Sequence, residues 1–370
     1  MKKLSVILAC VLLLALFAGC TGVIAPVPVP PATTEAPTTT AVPVTTEPPE
    51  TTAVPITTEP PETTGAPATE TDPSPVTTAA PDPEDDGIHP MLFRVTGENG
   101  QEMYLFGTIH VGDRRNNAVL EKLKSFLDGC DALAVEFDIV AYEQDKTAQM
   151  LDVTRFYLTD GTTVDQHMSP ELFAQASDLL QKAGLFPSLM RHYNLSMWSQ
   201  LVEQGALLTQ SSLSANVGMD RLLIHYCYGR QIPVRDVESA ELQYGLLASF
   251  SDELNLMLIE NTLNRLDRYG EEVDALYSAW MDGDYDQIVS VLADENEGQE
   301  EMTEAQQALV EEYNDKMLTR RNLGMRDKAV EWLKAGDKVF FAVGAAHLVD
   351  EGGLVELLRE AGYTVEQIRY

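Results

Sequence analysis

Two histidines and a glutamate carry the chemistry that this sequence offers. Residues 102–113 read Glu-Met-Tyr-Leu-Phe-Gly-Thr-Ile-His-Val-Gly-Asp, an apolar run that passes through Gly107 to His110. Residues 337–350 read Asp-Lys-Val-Phe-Phe-Ala-Val-Gly-Ala-Ala-His-Leu-Val-Asp and pass through Gly344 to His347 in the same way. Short apolar runs rich in Val and Phe predict buried strands, so each Gly-x-x-His unit sets an imidazole at a strand's carboxyl end. A glycine lets the backbone turn off the strand without steric cost, and in open α/β sheets ligands bind outside the carboxyl ends of strands. Between the two units, Ala132-Leu-Ala-Val-Glu-Phe137 predicts a third strand ending at Glu136. Neutral imidazole is a common ligand for zinc-like ions. Two His and one Glu can hold a divalent ion and leave positions open for water, whose pKa then falls toward neutrality. On residue chemistry alone, the competing account is a pair of hydrogen-bonded structural histidines. His89, His167, His192 and His225 lack the strand-end setting and read as structural or surface residues.

The elements that must position these groups follow from periodicity. Residues 91–95 and 103–109 flank Gly97-Glu98-Asn99-Gly100 and predict a hairpin. Residues 117–127 have helical spacing, with Gly129 as the stop. Strand, helix, strand is a βαβ unit, so the strands ending at His110 and Glu136 are expected to run parallel. From Tyr142 to Leu333 the pattern is largely helical. One helix starts at Ser169-Pro170 and ends at Gly184, and others are expected over 189–208, 217–228, 253–266, 271–281 and 304–333. A short strand at 231–238 interrupts them, and residues 325–333 lead as a helix into the strand 338–343. A helix over 352–361 and an edge strand over 363–369 close the chain. The expected fold class is α/β: a mixed central sheet of pseudo-duplicated strand-helix-strand halves with a large helical insertion.

Three regions divide the chain. Lys2 and Lys3 precede an apolar run over 4–17, and Phe17-Ala-Gly-Cys20 supplies small residues before a cysteine. Residues 1–20 therefore read as a lipoprotein signal with Cys20 lipidated, against an ordinary cleaved signal or a short membrane anchor. Residues 21–86 are rich in Pro, Thr, Ala and Glu, lack Lys, Arg and aromatic residues, and repeat TTAVPVTTEPPE as TTAVPITTEPPE. Such a segment buries too little apolar surface to fold and reads as a disordered, extended stalk, reaching at most roughly 200 Å in polyproline II geometry. Residues 87–370 form the globular part, long enough for one large core. A net charge of −33 offers no basic face to nucleic acid and disfavours flat docking on an anionic membrane. Cys130 and Cys227 read as small buried apolar residues or as one disulfide. Cys-x-x-Cys, His-Glu-x-x-His, Gly-x-Ser-x-Gly and Gly-x-Gly-x-x-Gly are all absent, which removes a thiolate metal knot, a zincin, a serine-hydrolase elbow and a dinucleotide site from consideration.

LFGTIHVGD at 105–113, AVEFD at 134–138, GMDR at 218–221, Val237-Glu238 with Gln243, Arg321-Asn322 and FAVGAAHLVDEGGLVELL at 341–358 together resemble the TraB/GumN family, which includes the Tiki Wnt-inactivating metalloproteases. The resemblance covers about 92–368, with no departure at the two histidines or the glutamate. It implies a fold similar to erythromycin-esterase and ChaN-like proteins, with His110, Glu136 and His347 at a divalent-metal site for Mn²⁺, Co²⁺ or Zn²⁺. Arg321 and Asn322 would lie near that site, with Arg321 stabilising an oxyanion. Asp220 and Glu238 would be ligands or orienters of ligands, against a helix cap for Asp220, a solvated strand end for Glu238 and an acidic partner for Arg321. The implied activity is hydrolysis of a peptide or protein substrate by a surface lipoprotein, lipid-anchored at Cys20 to the outside of the bacterial cell membrane, with Glu136 as ligand or general base. A non-catalytic lipoprotein that binds a secreted peptide, and a metal-dependent esterase, are the alternatives.

Overall fold

The computed structural model describes residues 87–186, 188–294, 302–349 and 352–370. The signal, Cys20, the stalk and the Asp350 end of the second motif lie outside them. The described chain runs β1 (Leu92–Thr96), β2 (Glu102–Thr108), α1 (Arg115–Asp128), β3 (Ala132–Val135), α2 (Ile139–Tyr142) and α3 (Lys146–Thr154). Next come α4 (Pro170–Lys182), α5 (Leu195–Gln210), α6 (Met219–Arg230), β4 (Val234–Asp236), α7 (Ala240–Ala248), α8 (Asp252–Asn264), α9 (Tyr269–Asp282) and α10 (Tyr285–Asp294). It closes with α11 (Glu304–Asn314), a π-helical turn (Asp315–Thr319), α12 (Arg320–Ala335), β5 (Val339–Gly344), α13 (Leu354–Glu360) and β6 (Thr364–Gln367). This is a mixed α/β fold around one six-stranded sheet in the order β4-β3-β5-β2-β1-β6.

Burial follows from sheet position. The parallel strands β3 and β5 are buried along their whole length and β2 nearly so, while the edge strands β4 and β6 keep exposed positions. A strand covered on both faces needs a continuous apolar run, the pattern that Val339-Phe-Phe-Ala-Val343 supplies. The β1–β2 hairpin forms at Gly97–Gly100, with Thr96 opposite Glu102 and a positive φ of 78° at Gly100. β2 and β3 run parallel as expected, but they are not neighbours. β5 lies between them, pairing in parallel with both.

Several expected helices are cut by local chemistry. In the span 189–208 the Asn194 side chain accepts from Met197 N and starts α5, so the residues before it form a separate 3₁₀ turn, Ser188–His192. In the span 304–333 the π-turn separates α11 from α12, with Arg320 N bonding back to Asp315 O. Ser169 caps α4 through Leu172 N, with Pro170 at the first helical position, as its sequence predicts.

Candidate functional site

Strand register brings the two motifs and the glutamate to one end of the sheet. Thr108 of β2 is paired with Gly344 of β5, and Val135 of β3 with Ala342 of β5. His110 follows β2 by two residues, Glu136 follows β3 directly, and His347 ends a 3₁₀ turn, Ala345–His347, that follows β5. Gly107 is needed for close approach rather than for an unusual backbone angle: a Cβ there would lie 3.2 Å from Ala345 Cα and Cβ. The β3–β4 ladder continues past both strand ends, with Glu238 N donating to Glu136 O at 2.8 Å, which sets Glu238 beside Glu136.

All seven residues singled out from the sequence meet here: six are at least nine-tenths buried, and the side chain of the seventh, Glu238, is 7% exposed. His347 Nε2 lies 3.8 Å from Glu136 Oε1, and His110 is close enough for its charge to act on both. Glu136 is held from three directions: Gly344 N donates to Oε1 at 2.8 Å, while Arg321 Nη2 at 2.6 Å and Gln243 Nε2 at 3.0 Å donate to Oε2. Arg321 and Gln243 also donate to Glu238. The remaining guanidinium nitrogen of Arg321, Nη1, donates to Met317 O at 3.1 Å, a carbonyl within the π-turn, where the regular helical hydrogen-bond ladder is interrupted. Arg321 thus has the acidic partners that its competing sequence account named. Its nitrogens are all engaged within the protein.

Each imidazole is oriented through Nδ1. Asn322 Nδ2 donates to Gly352 O at 3.0 Å, which turns its Oδ1 toward His347 Nδ1 at 2.6 Å. The amide oxygen only accepts, so Nδ1 carries the proton and Nε2 the lone pair. Asp220 accepts from His110 Nδ1 at 2.6 Å and from Thr108 Oγ1 at 2.8 Å. It lies in the first turn of α6, so it is a ring orienter placed where the helix cap was expected.

Electrostatics separate the two rings. Burial, reinforced by the Arg321 charge, pushes His347 down to about 3, so this ring is neutral. Burial also pushes His110 down, but the Asp220 charge and hydrogen bond outweigh it and raise this ring above its ordinary value. For Glu136 burial pushes up, but the Arg321 charge, backed by His110 and by the hydrogen bond from Gly344 N, holds the carboxyl well below the usual carboxylate range.

Among the described residues no three His, Cys, Asp or Glu side chains stand together as a ready metal cluster. The donor chemistry nonetheless fits a divalent cation. His347 Nε2 is buried, bears a lone pair and has no hydrogen-bond partner, Glu136 Oε1 faces it, and Asp220 and Asn322 supply the outer hydrogen bonds typical of metal-bound histidines. Thr108 was not singled out from the sequence, and Gln243 was noted without a role. The Asp220 partner of Thr108 lies 112 residues away and the Glu136 partner of Gln243 lies 107 away, so no local pattern marks these contacts, although Gln243 also reaches Glu238 five residues before it. Cys130 and Cys227 are free thiols, both pushed up to about 12 by burial.

Over 266 residues the chain is 25% identical to the uncharacterized protein YbaP of Escherichia coli (strain K12), covering 72% of this chain and 90% of that protein. The uncharacterized YbaP of Shigella flexneri matches to the same extent. No solved structure matches. The family model of the TraB/PrgY/gumN family matches residues 91–367, the whole of the sheet and its site, and the chain belongs to that family.

Proposed function

We propose that this chain is a metal-dependent hydrolase acting on peptide bonds, in which His110, Glu136 and His347 hold a divalent cation. The observation that supports this most is His347 Nε2, a buried lone pair without a partner 3.8 Å from a carboxylate oxygen. Leaving such an atom unsatisfied costs about 1–3 kcal/mol, and a cation shared with Glu136 removes that cost. The set of two imidazoles and a carboxylate suits Mn²⁺, Co²⁺ or Zn²⁺ better than all-oxygen Ca²⁺. The acids Glu136, Glu238 and Asp220 outnumber the single guanidinium of Arg321, which favours a positive guest. When bound, such an ion supplies Lewis acidity toward a carbonyl and toward water.

The protein's own groups divide the remaining work. Arg321, Gln243 and Gly344 N fix both oxygens of Glu136, while Asp220 and Asn322 fix the rings. With its nitrogens committed, Arg321 acts in this proposal by holding Glu136 and Glu238 rather than by meeting an oxyanion. The peptide as substrate comes from the resemblance to Tiki-like proteins, and so does the similarity of fold to erythromycin-esterase and ChaN-like proteins, while the division into two related halves rests on the repeated strand-end Gly-x-x-His pattern. In the same proposal the protein works outside the cytoplasm, held to the bacterial membrane by lipid on Cys20. Palmitate labelling that is lost in Cys20→Ser tests the anchor. Calorimetric titration of the purified protein with MnCl₂, CoCl₂ and ZnCl₂, followed by mass spectrometry of an unstructured peptide mixture, tests the chemistry. One ion is expected to bind one-to-one and to support cleavage, with both effects lost in His110→Ala and His347→Ala. A wild-type protein that binds none of the three ions ends the proposal.

A further inference from the structure

The geometry points to Asn116 as the residue that positions the His110–Asp220 pair, a role that rests on the proposed use of His110 in holding a cation. Asn116 sits in the first turn of α1 and is 0% exposed. Its Nδ2 donates to Val217 O at 2.8 Å and to Val111 O at 3.4 Å, and its Oδ1 accepts from Tyr277 Oη at 2.7 Å. Val111 directly follows His110, and Val217 stands three residues before Asp220. One carboxamide therefore ties together the two segments that carry the paired side chains.

Those segments are also in direct backbone contact. Gly112 and Ser214 exchange two hydrogen bonds of 3.1 and 2.8 Å, and Met219 N donates to Ile109 O at 2.9 Å. The approach leaves no room for side chains. A Cβ on Gly218 would lie 2.3 Å from His110 O, and one on Gly112 would lie 2.0 Å from Asn116 Nδ2. Neither glycine has a positive φ, so each is required for space alone.

Position 116 calls for a carboxamide because only that group presents two N–H donors and an acceptor in one plane. An aspartate of the same shape would donate to neither carbonyl and would turn a negative charge toward both. Tyr277, reaching across from α9, holds the acceptor end of the amide, and the Arg115 guanidinium covers its ring at 4.6 Å. The 2.6 Å bond from His110 Nδ1 to Asp220 is short enough that a shift of a few tenths of an ångström between the segments weakens it.

The test uses the purified protein carrying Asn116→Asp, read by long-range proton–nitrogen spectra of the histidine rings and by Mn²⁺ titration. The His110 Nδ1–H resonance is expected to shift and to exchange faster with water, while that of His347, held by Asn322, stays in place. Mn²⁺ affinity falls by about 10- to 100-fold, the usual cost of disturbing an outer hydrogen bond of a ligand. An unchanged His110 resonance in the folded variant overturns the inference. If Asn116→Asp does not fold, Tyr277→Phe, which removes the hydroxyl that aligns the amide and that also accepts from Asp113 N at 3.4 Å, is expected to give a smaller shift of the same selectivity, and no shift there overturns it equally. A wild-type protein that binds none of Mn²⁺, Co²⁺ and Zn²⁺ defeats the proposed function, while the His110 resonance still decides the role of Asn116.

Discussion

Replacing Arg321 with methionine should remove a large part of the stability of this domain. The guanidinium is 2% exposed and bridges Glu136 and Glu238, whose side chains are 8% and 7% exposed. Methionine fills much of the volume, so the cost is electrostatic: two buried carboxylates lose their cation. Breaking one buried pair costs about 3–5 kcal/mol. An upper bound comes from protonation, because a stranded carboxyl can take up a proton instead. Raising its pKa from about 4.3 to 7 costs about 3.7 kcal/mol at pH 7. Glu136 keeps Gly344 N, and the two acids still share Gln243 Nε2, so protonating one of them relieves most of the repulsion. The expected loss is therefore about 3 kcal/mol, a sizeable share of the roughly 5–15 kcal/mol available to a domain. Adding Glu238→Gln to Arg321→Met should return about 1–2 kcal/mol by removing the second charge. The assay is urea unfolding followed by circular dichroism, with EDTA present so that no cation replaces the guanidinium. A loss below about 1 kcal/mol for the single variant, or a double variant no more stable than the single, refutes the reasoning.

Trp280→Phe should cost about 1–2 kcal/mol in a thermal melt, because Trp280 Nε1 donates at 2.8 Å to Gly107 O, a buried carbonyl that phenylalanine cannot satisfy. Glu312 accepts from Ser251 N and Oγ and from Lys316 Nζ. Burial pushes its pKa up, but these hydrogen bonds outweigh that and hold it below its ordinary value. A depressed carboxyl stabilises the fold above its unfolded pKa of about 4.3 and loses that contribution as pH falls through its folded value. Glu312→Gln should then be less stable than wild type by about 1 kcal/mol at pH 7, and the gap should close under acid, as read by urea midpoints at both pH values. With its thiol pushed up to about 12 and fully buried, Cys227 should resist iodoacetamide at mildly alkaline pH until urea unfolds the protein, which peptide mapping would record.

Much of the fold is legible in local pattern. The apolar runs of β2, β3 and β5, the Gly97–Gly100 hairpin and the Ser169-Pro170 helix start each carry their own signal, because burial and capping act within a few residues. The π-turn is different. Residues 304–333 present one continuous helical period, and no short stretch of them marks the extra residue at Asp315–Thr319, which directly precedes the helix that carries the buried Arg321 and Asn322. Helix α7 also escapes a reading by pattern, since Ala240–Ala248 buries only Gln243, Tyr244 and Leu247 and has little apolar contrast between its faces.

The sequence by itself determined which groups could do chemistry. An imidazole two residues beyond Gly107-Thr108, another three beyond Gly344 and a carboxylate closing an apolar strand are facts of covalent order, and any fold with parallel strands aims them at one sheet end. Whether they would meet was decided by β5 entering between β2 and β3, a choice of strand neighbours settled by long-range packing and unmarked in any short stretch. Tertiary structure also chose the partners: Asn322 for His347, Asp220 for His110, and Arg321 and Gln243 for Glu136. Each of these pairs links residues far apart in the chain. The reason is physical: a buried polar group must find its complement somewhere, and the chain's three-dimensional path alone decides where that complement lies.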